Sequence, residues 1–174
     1  MPNWCSNSLN VTGPKPSLDD LEKWIVDHKN NLDLEAILPT PKELLEHDSP
    51  QSGKKANEFK KKYGAKDWYD WRIKNWGTKW NVNSSNDRID ESNLSVWFDS
   101  AWAPPINALV KFSEMFPDLT FELKYVETCG CFGGVATMKN GELDDQYGEE
   151  GSELYDQMKE FFGVEEIEEL EDVH

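Results

Sequence analysis

The chain predicts an α+β fold: a ferredoxin-like antiparallel sheet with helices on one face, plus a helical insertion. Three observations point there. Strand-like segments at 3–12, 32–38, 93–99, 119–127 and 131–138 are interleaved with helical stripes at 17–30, 106–115 and 152–163. The grouping of strands and helices is closest to the β-α-β-β-α-β plan. A helical segment at about 42–92, polar and lysine-rich over 42–66, has no place in that plan and reads as an insertion. Residues 1–142 are expected to form the ferredoxin-like domain, and 143–174 an acidic C-terminal helix and tail. A length of 174 residues fits one domain with an insertion.

Residues 3–12 (NWCSNSLNVT) open the sheet. Alternation sends Cys5, Asn7, Leu9 and Val11 to one face, and Trp4, Ser6, Ser8 and Asn10 to the other. Gly13-Pro14 is a turn signal. Ser17 reads as a helix N-cap, with Asp19 and Asp20 in the first turn where the helix dipole favours anions. Leu18, Leu21, Trp24 and Ile25 share one helical face, and the helix is expected to end near Lys29-Asn30. Residues 32–38 (LDLEAIL) read as a short strand. Within the insertion, Ser49-Pro50-Gln51-Ser52-Gly53 is a flexible break.

Residues 67–80 (DWYDWRIKNWGTKW) are rich in tryptophan. Tyr69, Ile73, Trp76 and Trp80 form a helical stripe expected to fill the core, with Gly77 as the helix end. Trp68 and Trp71 lie off that stripe. Residues 93–99 read as a strand, and Ile106 to Met115 as a helix with Ile106, Leu109, Val110 and Phe112 inward. The clean strand 119–127 puts Leu119, Phe121, Leu123 and Tyr125 on one face. Glu127 is expected opposite to Tyr125, at an edge in water. Residues 131–138 give another strand, and Asn140-Gly141 is a hairpin turn signal. A last amphipathic helix carries Leu154, Tyr155, Met158, Phe161 and Phe162, and the final eleven residues, mostly glutamate, are expected to fray.

Charge is lopsided. Net charge is −16; residues 1–90 are balanced, whereas 91–174 hold 20 acidic side chains against 4 basic. Such a field disfavours nucleic acid and attracts a basic partner, although a solubilising tail accounts for the same composition. Asp144, Asp145, Glu149 and Glu150 are the candidate binding carboxylates. No run of about 18 apolar residues suggests a membrane span. The opening MPNWCSNSLNV has no basic n-region and no apolar h-region of a signal peptide. Three cysteines argue against a disulfide framework and for a reducing compartment.

The strings MPNWCSN, DWYDWRIKNWGTKWN and FDSAWAPP, with Tyr125, Glu127, Gly130, Phe132 and Gly134, together resemble the YubB-like family of phage and plasmid proteins. The resemblance covers residues 1 to about 142. It implies a ferredoxin-like topology without an iron–sulfur cluster, a mobile-element origin and a bacterial cytoplasm. It supplies no catalytic residues.

No catalytic or metal constellation stands out, and no cofactor is expected. Cys129-Gly130-Cys131 with Cys5 falls short of the four ligands of structural zinc, and the CxC pair is expected on one strand face. Histidines 28, 47 and 174 supply no base near a cysteine. The sequence therefore points to an accessory binding protein, in its sharpest form an acidic DNA mimic that blocks a host nucleic-acid-binding or defence protein. The alternatives are a small enzyme using carboxylate acid–base groups, or a single-stranded nucleic-acid module. That module would use Trp68, Trp71, Arg72, Trp76, Lys79 and Trp80 beside the six lysines of 54–66. Glu127 completes the candidate binding set.

Overall fold

A computed structural model describes residues 2–164. The chain runs β1 (Trp4–Thr12), α1 (Lys15–Asp27), α2 (Leu34–Ile37), α3 (Lys42–Leu45), α4 (Gly53–Tyr63) and α5 (Trp68–Asn75). It continues β2 (Ser84–Asp90), β3 (Asn93–Ala101), α6 (Ile106–Met115), β4 (Thr120–Glu127), β5 (Phe132–Lys139), β6 (Glu142–Glu149) and α7 (Glu153–Phe161). Six strands make one sheet in the order β2-β3-β1-β4-β5-β6, antiparallel throughout. The run β2-β3-β1-β4, with α1 and α6 as its crossovers, is the ferredoxin-like unit. β5 and β6 extend it past β4 as a meander.

The inner face follows the period of two. Cys5, Asn7, Leu9 and Val11 of β1 are all buried, as are Leu94, Val96 and Phe98 of β3 and Phe121, Leu123 and Tyr125 of β4. Leu18, Leu21 and Ile25 of α1, with Leu109 and Phe112 of α6, close over them. Each leucine, isoleucine, valine and phenylalanine among them contributes about 1.5–3 kcal/mol on burial, which explains why these elements sit where alternation places them. Asn140 and Gly141 both take positive φ, 48° and 83°, the twist that a two-residue hairpin loop needs.

Several expectations are corrected. α1 starts at Lys15, not after a Ser17 cap, because Pro14 takes the cap position and Pro16 lies in the first turn, where a missing N–H costs nothing; it ends at Asp27. Residues 32–38 are not a strand. The Asp33 carboxylate accepts from the backbone N–H of Glu35 and Ala36, at 3.0 and 3.3 Å, and starts the turn of α2. The helical insertion therefore begins straight after α1 and stops before Ser84, since residues 84–90 are the edge strand β2. Residues 142–149, expected from 143 onward to belong to the acidic C-terminal helix and tail, form β6 and pair with β5 along its length. The CxC pair lies at a turn and not within a strand, with Cys131 at φ 54°. The glutamate-rich end expected to fray lies almost wholly outside the described residues.

The helices of the ferredoxin-like unit share one face, but α7 crosses the other. Tyr155 and Met158 pack on Val126, with Val135, Leu154 and Phe162 around them. Gly133 permits this close approach; a Cβ there would come within 3.1 Å of the Met158 Cβ. Among the described residues α7 packs mainly on β4, β5 and β6 and reaches β3 where Phe161 and Phe162 meet Trp97, which leaves the rest of the outer face of β1, β3 and β2 uncovered.

Candidate functional site

The tryptophan-rich stretch builds an interior joint. Asp67 caps α5 by accepting from the Asp70 N–H at 2.8 Å, and Gly77, at φ 92°, turns the chain away. Trp71 and Trp76 are buried, and their rings meet edge to face. The expected stripe is thus half right. Trp76 is core, but Tyr69 and Trp80 are 38% and 37% exposed, because α5 packs through the side that carries Trp68 and Trp71. Arg72 lies between the Trp68 and Trp76 rings, at 5.2 and 4.5 Å. Its guanidinium donates to Thr40 Oγ1 at 3.0 Å and pairs with Glu35 at 3.2 Å. Partial burial pulls the Arg72 pKa down, against the opposing pull of Glu35. Arg72, and Trp76 whose indole N–H donates to the Leu38 carbonyl at 2.8 Å, therefore clamp α5 to the segment around α2, with Trp68 and Trp71 packed beside them. Lys79 sits over the exposed rings of Tyr69 and Trp80, at 5.3 and 4.8 Å.

Glu127 is 2% exposed. It lies on the same face as Tyr125, two residues away, which corrects the expected water-exposed edge position. Its carboxylate accepts from the Cys129 and Gly130 N–H groups, at 2.8 and 2.6 Å, and holds the β4–β5 turn. Cys5 faces it across the β1–β4 ladder. Burial first, and the Glu127 charge second, push the Cys5 thiol far above the usual range, so it is held neutral. Tyr125 donates to Asp145 at 2.9 Å. Burial and this carboxylate raise the Tyr125 phenol well above its ordinary value. Cys129 is exposed and Cys131 partly so. Among the described residues no cluster of three or more His, Cys, Asp or Glu side chains is placed to hold a metal ion.

The acidic edge is structured. Glu142, Asp144, Asp145 and Glu149 belong to β6, and Glu150 follows at its end. Glu142 and Asp144 project on the α7 face; Asp145 and Glu149 project on the other. None of the five forms an ion pair among the described residues. Glu153, Asp156 and Glu160 of α7 continue the acidic surface, with Lys159 held to Asp156 at 3.3 Å.

Sequence reasoning missed the uncovered half of the outer sheet face. Ser6, Ser8 and Asn10 of β1 and Ser95, Trp97 and Asp99 of β3 form its floor. Trp97 is 43% exposed and stacks on Phe161, with ring centroids 5.8 Å apart and planes 4° from parallel. An open groove of about 590 Å³ runs past Ser6, Asn83, Ser85, Trp97, Asp99 and Phe162. A second hollow of about 260 Å³ adjoins it, sharing Asn83 and Asp99 and walled by Trp4. Trp4 in turn packs on Trp80, with centroids 6.2 Å apart. The available signal was the outward set Trp4, Ser6, Ser8 and Asn10, whose small polar side chains leave room above the sheet.

The architecture defines an α+β protein of the ferredoxin-like class with two added strands. The chain belongs to the family described as the ferredoxin-like domain of Api92-like proteins, whose model matches residues 75–173. The matched span carries β2 to β6, whereas the central strand β1 comes from outside it. The crystal structure of Api92 from Yersinia pseudotuberculosis is similar, with a TM-score of 0.54 at 13% identity. That similarity covers 87% of this chain and 99% of that one and shows the shared fold. No curated protein matches the sequence. No helix of the described residues is long and apolar enough to cross a membrane.

Proposed function

We propose that this chain is an accessory binding protein of the kind carried by phages and plasmids. Its acidic edge would dock on the basic surface of a host nucleic-acid-binding or defence protein, in place of DNA, in the bacterial cytoplasm. One observation carries the reading: Glu142, Asp144, Asp145, Glu149 and Glu150 stand on and beside an edge strand that pairs with β5 along its length, not on a loose tail. Carboxylates fixed by a sheet need no ordering when a partner arrives, so less entropy opposes binding. Their unpaired charge steers a basic partner at long range. Edge charges also keep sheets from pairing with one another, a role that asks for a few of them and not five in nine residues.

The test is competition. The full chain is used to capture proteins from bacterial lysate, with and without added duplex DNA. The reading expects a basic nucleic-acid-binding protein that DNA releases, and that is not captured by a variant with Glu142→Gln, Asp144→Asn, Glu149→Gln and Glu150→Gln. Asp145 is spared because it holds Tyr125. Capture that survives both DNA and neutralisation refutes it.

A further inference from the structure

We infer that the uncovered half of the sheet face is a docking groove for an extended, arginine-bearing peptide segment, gripped between Trp4 and Trp97 with Asp99 as the counter-charge. The inference rests on the reading of a basic partner but places contact on a different surface from the acidic edge.

Trp4 lies opposite Ala101, four residues along β3 from Trp97, so the two positions are about 13 Å apart along the strand direction on one face. Asp99 lies between them, opposite Ser6. One of its oxygens accepts from Ser6 Oγ at 3.1 Å, and it pairs with no cation among the described residues. The floor is otherwise hydroxyl and amide, from Ser6, Ser85 and Asn83, and Phe162 forms a wall. An aromatic face next to an unpaired carboxylate suits a planar cation, which can stack and form hydrogen bonds at once.

The protein already binds its own cations this way around the groove. Lys124 Nζ lies 4.5 Å from the Phe161 ring centre, and Lys79 Nζ 4.8 Å from that of Trp80. Charge decides against the other common guest of an open ferredoxin-like sheet, stacked bases of single-stranded nucleic acid. Among the described residues Asp99, Asp87 and Glu122 lie on this face against Lys124, itself shared with Glu122 at 4.0 Å, and Lys79 at the rim over Trp80, so acidic side chains outnumber basic ones. A phosphate backbone would meet net repulsion there.

The experiment follows the tryptophan indole N–H signals of the full chain by NMR during titration with a capped peptide alternating glycine and arginine. The same peptide with citrulline is the neutral control. The expected result is a saturable shift of the Trp97 and Trp4 signals, weakened roughly tenfold by Asp99→Asn and absent with citrulline. The edge variant named above should leave the shift in place. The inference is overturned if citrulline works equally well or Asp99→Asn changes nothing. It is also overturned if a single-stranded oligonucleotide or a neutral oligosaccharide moves these signals in place of the arginine peptide, or if nothing moves them. If the shift disappears in the edge variant and survives Asp99→Asn, the groove is excluded and the acidic-edge reading stands.

Discussion

Replacing Arg72 with alanine separates the two roles open to the tryptophan-rich stretch, structural joint and binding surface. In the joint, the guanidinium faces two rings, at 4.5 and 5.2 Å, each contact contributing about 0.5–1 kcal/mol even at the value for sites open to water. The Arg72–Glu35 pair has side chains 16% and 34% exposed, between the surface pair of about 0–1 kcal/mol and the buried one whose disruption costs about 3–5 kcal/mol. About 1.5 kcal/mol is reasonable for the pair and the Thr40 hydrogen bond together, since Glu35 keeps its bonds from the Thr40 N–H and hydroxyl. The sum predicts a loss of about 3 kcal/mol for Arg72→Ala. For Arg72→Lys, which keeps charge and loses the planar stack, the loss is about 1.5 kcal/mol. Urea unfolding followed by far-ultraviolet circular dichroism measures both, with an unchanged slope showing that stability alone has moved. A loss below about 0.5 kcal/mol for Arg72→Ala, the usual range for surface substitutions, would refute the joint.

Other consequences follow from the buried polar groups and the tight sheet. Glu127→Gln removes one of two charge-assisted acceptors at the β4–β5 turn and turns an amide N–H₂ toward a backbone donor; an urea midpoint shift equivalent to about 2 kcal/mol is expected. Gly134→Ala would press a methyl group into the Gln146 carbonyl and the Tyr125 hydroxyl, so a loss of about 2–3 kcal/mol or failure to fold is expected, read by thermal unfolding. The Tyr125 phenol is raised in the folded state, so the unfolded chain releases that proton first as pH climbs. Its contribution is fully present below about pH 10 and is lost above it, by about 1.4 kcal/mol per pH unit. Tyr125→Phe should flatten that alkaline decline in unfolding curves taken across pH.

The parts of the fold that sequence reveals are those where a single chemical pattern decides. β4 and the inner side of β1 alternate cleanly, α6 carries its apolar face at helical spacing, and Asn140-Gly141 has the residues its turn demands. β2 does not declare itself, because SSNDRID holds a single apolar residue, Ile89, and becomes a strand only through pairing with β3. β6 was hidden for a related reason: ELDDQYGE has the composition of a solvated tail, and its exposed edge position lets carboxylates occupy both faces. Asp33 turned LDLEAIL into a helix start through one capping carboxylate that outweighs a short apolar run. Tyr69 and Trp80 misled because spacing tells which residues share a side of a helix, not which side meets the core. The acidic candidates Asp144, Asp145, Glu149 and Glu150 were legible from charge alone. The groove floor was legible only in part: the outward set Trp4, Ser6, Ser8 and Asn10 marks room above β1, but the groove takes shape only when β3 and β2 bring Trp97, Asp99 and Ser85 alongside.

The most direct test of the account is the affinity of a DNA-displaceable captured partner for the parent chain and for the variant neutralised at Glu142, Asp144, Glu149 and Glu150, measured at two salt concentrations. The account predicts at least a tenfold loss in the variant, with much of the salt dependence lost as well, since clustered charge pairs carry both. Equal affinities with the same salt dependence would contradict it and leave the acidic edge a solubilising surface.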